Sequence, residues 1–132
     1  MRIPISDLID KMTIIKLKIE RVGEPHLKKE YEEYKKVVKN YKIQGETIGK
    51  EWFDKLYDIN GKIWDIEFGV REIVDKLYNN IGVPITEEEL VEIGKKHLLV
   101  AELGRKRNSI KNQIVSHTGE GFKIIKIDHP GE

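Results

Sequence analysis

The 132-residue chain contains no cysteine, which excludes disulfide bridges and thiolate chemistry and suits a reducing compartment. Its apolar runs are too short to cross a bilayer, so no membrane association is expected. The opening Met1-Arg2-Ile3-Pro4 lacks the apolar stretch of a secretory signal, and the cytoplasm is the expected location. An excess of one charge is missing too. With 24 basic and 23 acidic residues the formal net charge is +1, so no strong long-range field draws the chain to nucleic acid, which is not expected as a partner.

Catalytic and cofactor signatures are equally scarce. Ser6, Ser109 and Ser116 have no histidine and acid context for nucleophilic catalysis. His26, His97, His117 and His129 lack the four-residue spacing that sets two imidazoles on one helical face, so no metal is expected. Gly119-Glu120-Gly121 is a lone turn rather than a phosphate-cradling loop. No cofactor is expected, and a non-catalytic role is favoured over an enzyme.

What the chain does carry is periodicity. Trp52, Leu56, Ile59, Ile63, Ile66, Val70, Ile73 and Leu77 recur in four-three alternation, a heptad seam that must be buried against other helices. Ile5, Leu8, Met12, Ile15, Ile19 and Val22, then Leu27, Tyr31, Tyr34, Val38 and Tyr41, mark two earlier helices in the same rhythm. Helices are predicted over about 6–22, 25–43, 50–80 and 87–115. Ser6 is read as the first N-cap and Gly23 as its stop, and Thr86 with Glu89 forms a capping box for the fourth helix. Gly61 and Gly69 lie eight apart inside the third helix, where close approach of another helix would explain them. The pairs Glu51–Lys55, Asp58–Lys62, Glu67–Arg71 and Glu72–Lys76 have the favourable four-residue order.

The fold class is therefore all-α: an elongated antiparallel bundle of about four helices with coiled-coil-like seams. The helical bundle domain spans 1–118. Residues 119–132 form an extended tail or a short strand, centred on Phe122–Asp128.

The fourth helix places polar residues where apolar ones are expected. Following Leu90 and Ile93 along its face leads to His97, Val100, Leu103 or Gly104, Arg107, Ile110 and Ile114. One reading has His97 bonded to a neighbouring helix and Arg107 with its stem packed and its head in water. The other is an anion pocket with Arg107 as a fork and Lys111 one turn on. Arg105-Lys106-Arg107 and the lysines of the second helix read as solvated faces. Lys18, Glu20 and Arg21 beside the first seam, and Asn60, Trp64, Glu67 and Arg71 beside the third, either set register through interhelical pairing or converge on a cleft.

Three blocks resemble a family of small uncharacterised bacterial and phage proteins. Ile5-Ser6-Asp7-Leu8-Ile9-Asp10-Lys11-Met12-Thr13-Ile14 through Glu20-Arg21 is similar to that family's opening helix. Asn60 to Glu67 followed by Arg71 is similar to its central block, and Arg107 to Ile114 to its last helix. Gly104-Arg105 stands where the family has an Asn-Asp pair, and the family's acidic, tyrosine-containing tail is replaced by Phe122–Glu132. The family's association with glycosyltransferase and surface-polysaccharide functions implies a sugar-related role, with no established activity to carry over.

Two functions are consistent with these residues. The first is a non-catalytic interaction or assembly module, forming a homo-oligomer (a dimer above all) or binding a protein partner. The alternative is a ligand-binding protein or small enzyme acting on an anionic metabolite such as a nucleotide sugar. Its candidate site is Lys18, Glu20, Arg21, Asn60, Trp64, Glu67, Arg71, His97, Arg107 and Lys111, which requires the basic side chains to converge.

Overall fold

A computed structural model describes residues 3–79 and 84–120. Its four helices are α1 (Ile5–Arg21), α2 (Pro25–Ile43), α3 (Lys50–Asn79) and α4 (Glu87–Thr118), and the described residues include no strand. The proposed strand or extended tail over 122–128 lies outside the described residues.

Helix boundaries follow local chemistry, with one correction. α1 begins at Ile5, not at Ser6. Pro4 takes the N-cap position at φ −57° and ψ 142°, and its carbonyl accepts the Leu8 N–H at 2.9 Å. Ser6 is consequently buried inside the first turn, and no side chain caps this helix. Gly23 then ends α1 at φ 79°, with its N–H donating to the Lys18 carbonyl at 3.1 Å. The left-handed turn this requires favours glycine. The capping box at α4 forms as expected: Thr86 Oγ1 accepts the Glu89 N–H at 3.1 Å and Glu89 Oε1 accepts the Thr86 N–H at 3.2 Å. α4 runs to Thr118, past the expected end near 115, and stops at left-handed Gly119.

The helices alternate up and down. α1 packs against all three others and is the central element. Ile5, Leu8, Ile9 and Met12 from α1 form the core with Tyr41 of α2, Trp52 and Leu56 of α3 and Ile114 of α4. The α2 tyrosines act as their amphipathic rings suggest. The Tyr41 ring is buried while its hydroxyl donates to the Ile3 carbonyl at 2.7 Å.

Unequal lengths shape the molecule. α1 has 17 residues and α3 and α4 have 30 and 32, so at 1.5 Å per residue the α3–α4 hairpin is nearly twice as long as its cover. α1 reaches along α3 as far as Asp65, which pairs with Arg21 in its last turn. Beyond that point α3 and α4 have mainly each other. Their projecting ends are joined by Lys76 Nζ to Glu89 Oε2 at 3.0 Å, so Lys76 pairs across the hairpin and not, as the four-residue spacing predicts, with Glu72 one turn back.

The heptad seam of α3 is less completely covered along its projecting part. Trp52, Leu56 and Ile59 are buried, Ile63, Ile66 and Val70 half-buried, Ile73 buried again, and Leu77 exposed. Gly61 does sit against α1, where an added Cβ would lie 3.5 Å from Leu17 Cδ2. Gly69 does not: nothing lies within 4 Å of its Cβ position, so helix approach does not account for it. No described helix is long and apolar enough to cross a membrane.

Candidate functional site

The most polar buried spot is where α1, α3 and α4 meet. Asp10 has apolar Ile9 and Met12 beside it and is itself only 5% exposed. A buried carboxylate needs several compensating donors. Arg107 provides the strongest ones, a two-pronged fork with Nε 3.0 Å from Asp10 Oδ1 and Nη2 on Oδ2. Asn60 Nδ2 donates to Asp10 Oδ1 at 3.0 Å and to Thr13 Oγ1 at 2.8 Å. Thr13 Oγ1 in turn donates to the Asp10 carbonyl at 2.6 Å. Lys111, one turn past Arg107, lies 3.7 Å from Asp10 Oδ2 and 3.2 Å from Asp7 Oδ1.

The cluster is therefore charge-compensated from within. The donor face that could have held an anionic ligand is turned onto Asp10, and the bidentate geometry leaves Arg107 little capacity for another anion. Chemically this arrangement fixes helix register: side chains of α3 and α4 must both reach one carboxylate of α1, and sliding any of the three helices by one turn would leave charges buried and unpaired.

The other candidate residues lie elsewhere. Tyr57 donates to the Glu20 carboxylate, and that bond holds the Tyr57 phenol above its ordinary pKa because ionisation would set two anions side by side. Arg21 pairs with Asp65, and exposed Lys18 lies in the last turn of α1. Trp64, Glu67 and Arg71 line a shallow depression of about 230 Å³ with Phe68 on α3. His97 is exposed, a correction to its expected place on the packed face of α4. The inward row is Ile93, Lys96, Val100, Leu103, Arg107, Ile110 and Ile114, all at least half-buried. The inward face thus passes one residue to the side of His97.

So Asn60, Arg107 and Lys111 come together, while Lys18, Arg21, Arg71 and His97 do not join them. Asp10 and Thr13, which complete the cluster, were missed as site residues. The available signal was the breadth of the α1 stripe: with Ile5, Leu8, Ile9, Met12, Ile15 and Leu17 all apolar, little of this helix could face water, and a carboxylate inside it had to find partners.

Two further features have chemical character. A depression of about 440 Å³ between α1 and α2 has Met12 and Val38 in its lining and Lys35, Lys36, Lys39 and Lys42 around it, with Glu32. Lys16 stands over the rings of Phe53 and Tyr57 at 5.4 and 5.2 Å, a cation–π contact that closes the α1–α3 surface. Among the described residues no group of three or more His, Cys, Asp or Glu side chains is placed to hold a metal ion.

Compared with protein-family models, with curated proteins and with solved structures, the chain matches none of them.

Proposed function

We propose that the protein is a non-catalytic assembly module of the cytoplasm, in which the α1–α2 half braces one end of a long hairpin and the projecting end of α3–α4 associates with another protein surface, first of all with a second copy. The observation that carries this reading is the exposure of large apolar side chains along the projecting end. Phe68, Leu77 and Tyr78 on α3, and Leu90, Val91, Leu98 and Leu99 on α4, are all exposed, Phe68 by 66% and Leu98 by 69%. Scattered exposed apolar residues are ordinary, but a concentration on one structural arm marks an interaction site. The internally satisfied state of the Asp10–Arg107–Lys111 cluster supports the same reading over a ligand site, since its cations already have their anions.

Two thermal measurements test it. Assembly makes the midpoint of unfolding rise with protein concentration, whereas a ligand-binding monomer has a concentration-independent midpoint that rises with the right ligand. A concentration-dependent midpoint is expected, with no response to sugar nucleotides or small anions. A constant midpoint that climbs with a sugar nucleotide would overturn the assembly reading and direct attention to the lysine-rimmed depression on α2.

A further inference from the structure

The outward face of α4 carries its own heptad. Glu87, Val91, Gly94, Leu98, Ala101 and Arg105 follow one another at intervals of four, three, four, three and four, so at 3.6 residues per turn they form one stripe. That stripe lies opposite the inward row of α4. Ala101 is half-buried and the other five are exposed, and nothing lies within 4 Å of the Cβ position of Gly94. A seam of this kind facing water lacks its partner helix.

The order of residues along the stripe says which partner fits. An acid stands at one end and a base at the other, with small and branched residues between them. If an identical helix is laid against it in the opposite direction, Glu87 falls opposite Arg105, Val91 opposite Ala101 and Gly94 opposite Leu98. Each pairing occurs twice by symmetry. Leu98 then enters the space that Gly94 leaves open, and large faces small at each apolar level, as close helix packing requires. Glu88 and Lys106 beside the stripe extend the same complementarity: an acidic first turn meets the partner's basic turn. Among the described residues no ion pair engages Glu87 or Arg105 within the chain. A parallel arrangement would instead set Glu87 against Glu87 and Arg105 against Arg105.

We infer that α4 is a self-recognition helix: two copies of this chain pair antiparallel along Glu87, Val91, Gly94, Leu98, Ala101 and Arg105, with Glu87 of each copy opposite Arg105 of the other. The inference rests on the assembly reading above and deepens it, naming the partner, the helix and the register. The stripe covers 18 intervals of 1.5 Å, about 27 Å of helix. The Asp10–Arg107 cluster lies just beyond its end, holding α4 in position against the braced half of the molecule.

The test is charge reversal followed by mixing, read by sedimentation velocity on the full-length chain. E87K sets Lys against Arg105, and R105E sets Glu against Glu87, so each variant alone should dissociate at least about tenfold more readily than the wild type. Mixed in equal amounts they restore both attractive pairs and should form a heterodimer with near wild-type affinity. Leu98→Lys removes the central apolar contact and should leave a folded monomer, as shown by an unchanged circular dichroism spectrum, since Leu98 has little contact within the chain. A wild-type dimer that is unaffected by L98K and by both reversals would overturn the α4 seam while leaving assembly through another surface intact. A wild-type chain that is monomeric throughout would overturn both readings. Equal weakening in the single variants with no recovery on mixing would overturn the antiparallel register.

Discussion

Arg107 of α4 forks onto the carboxylate of Asp10 on α1 across 97 positions of sequence. With the Lys111–Asp7 pair one turn on, it joins the last helix to the first. Asn60 of α3 shares the same carboxylate, so one buried acid sets the positions of three helices. The braced end of the hairpin owes its geometry to that acid as much as to the surrounding apolar core.

Removing one member of the pair should be far worse than removing both. Asp10→Ala leaves Arg107 and Lys111 facing each other without their shared anion, and a loss of about 3–5 kcal/mol is expected. Arg107→Leu strands the buried carboxylate and should cost a similar amount. Replacing both, as Asp10→Leu with Arg107→Leu, should recover most of the loss because no uncompensated charge remains. Urea denaturation of the two single variants and the double variant closes the cycle. Additive losses would show that the two groups do not act as a unit.

The two central glycines of α3 should respond differently to bulk. Gly69→Ala should stabilise by about 0.5–1 kcal/mol through helix propensity alone, because its Cβ site is open. Gly61→Ala should also be tolerated, since Leu17 Cδ2 at 3.5 Å and Arg21 Nη2 at 3.6 Å are at ordinary contact distance. Gly61→Leu, however, would drive a branched side chain into α1 and should destabilise, whereas Gly69→Leu should not. Chemical denaturation of the four variants checks this, and equal tolerance of leucine at both sites would refute the close packing of α1 on Gly61.

The start of α4 should loosen in acid. Glu89 accepts the Thr86 N–H and pairs with Lys76, and these interactions hold its carboxyl below the ordinary glutamate value of 4.5. A lowered folded-state pKa contributes stability that is complete above the unfolded value and is lost as pH falls through the lowered one. The protection of the Glu89 and Leu90 amides, measured relative to their intrinsic exchange rates, should therefore fall below about pH 4.5. In Glu89→Gln, which has no proton to take up there, exchange should be faster at neutral pH and lack that acid transition. A wild-type acid response that persists in Glu89→Gln would assign it to another group.

Much of the fold is legible from residue order because each helix has a local start, stop or stripe. Pro25, the Thr86–Glu89 box and the left-handed Gly23 and Gly119 are short-range signals, and they place the boundaries within a few residues. Ser6 misleads because a good capping residue stands just inside a helix that Pro4 already begins. The site is less legible, since burial of Asp10 depends on three helices meeting. Arg107 and Lys111 stand out against an apolar row, yet nothing local tells that their anion is a side chain 97 positions away. His97 misleads for the opposite reason: a one-residue error in the α4 face moves a side chain by 100°, enough to carry it from the packed side to water. The same rotation hides the outward heptad of α4, whose Gly94 and Ala101 carry no apolar bulk to announce it.

The central claim is that the projecting end of the α3–α4 hairpin joins one copy to another, and light scattering coupled to size exclusion measures this most directly. Across a dilution series into the low micromolar range the wild-type chain should elute with twice the mass of its 15.4 kDa protomer, and Leu98→Lys should elute as the protomer. A wild-type chain with the protomer's mass at every concentration would contradict the account.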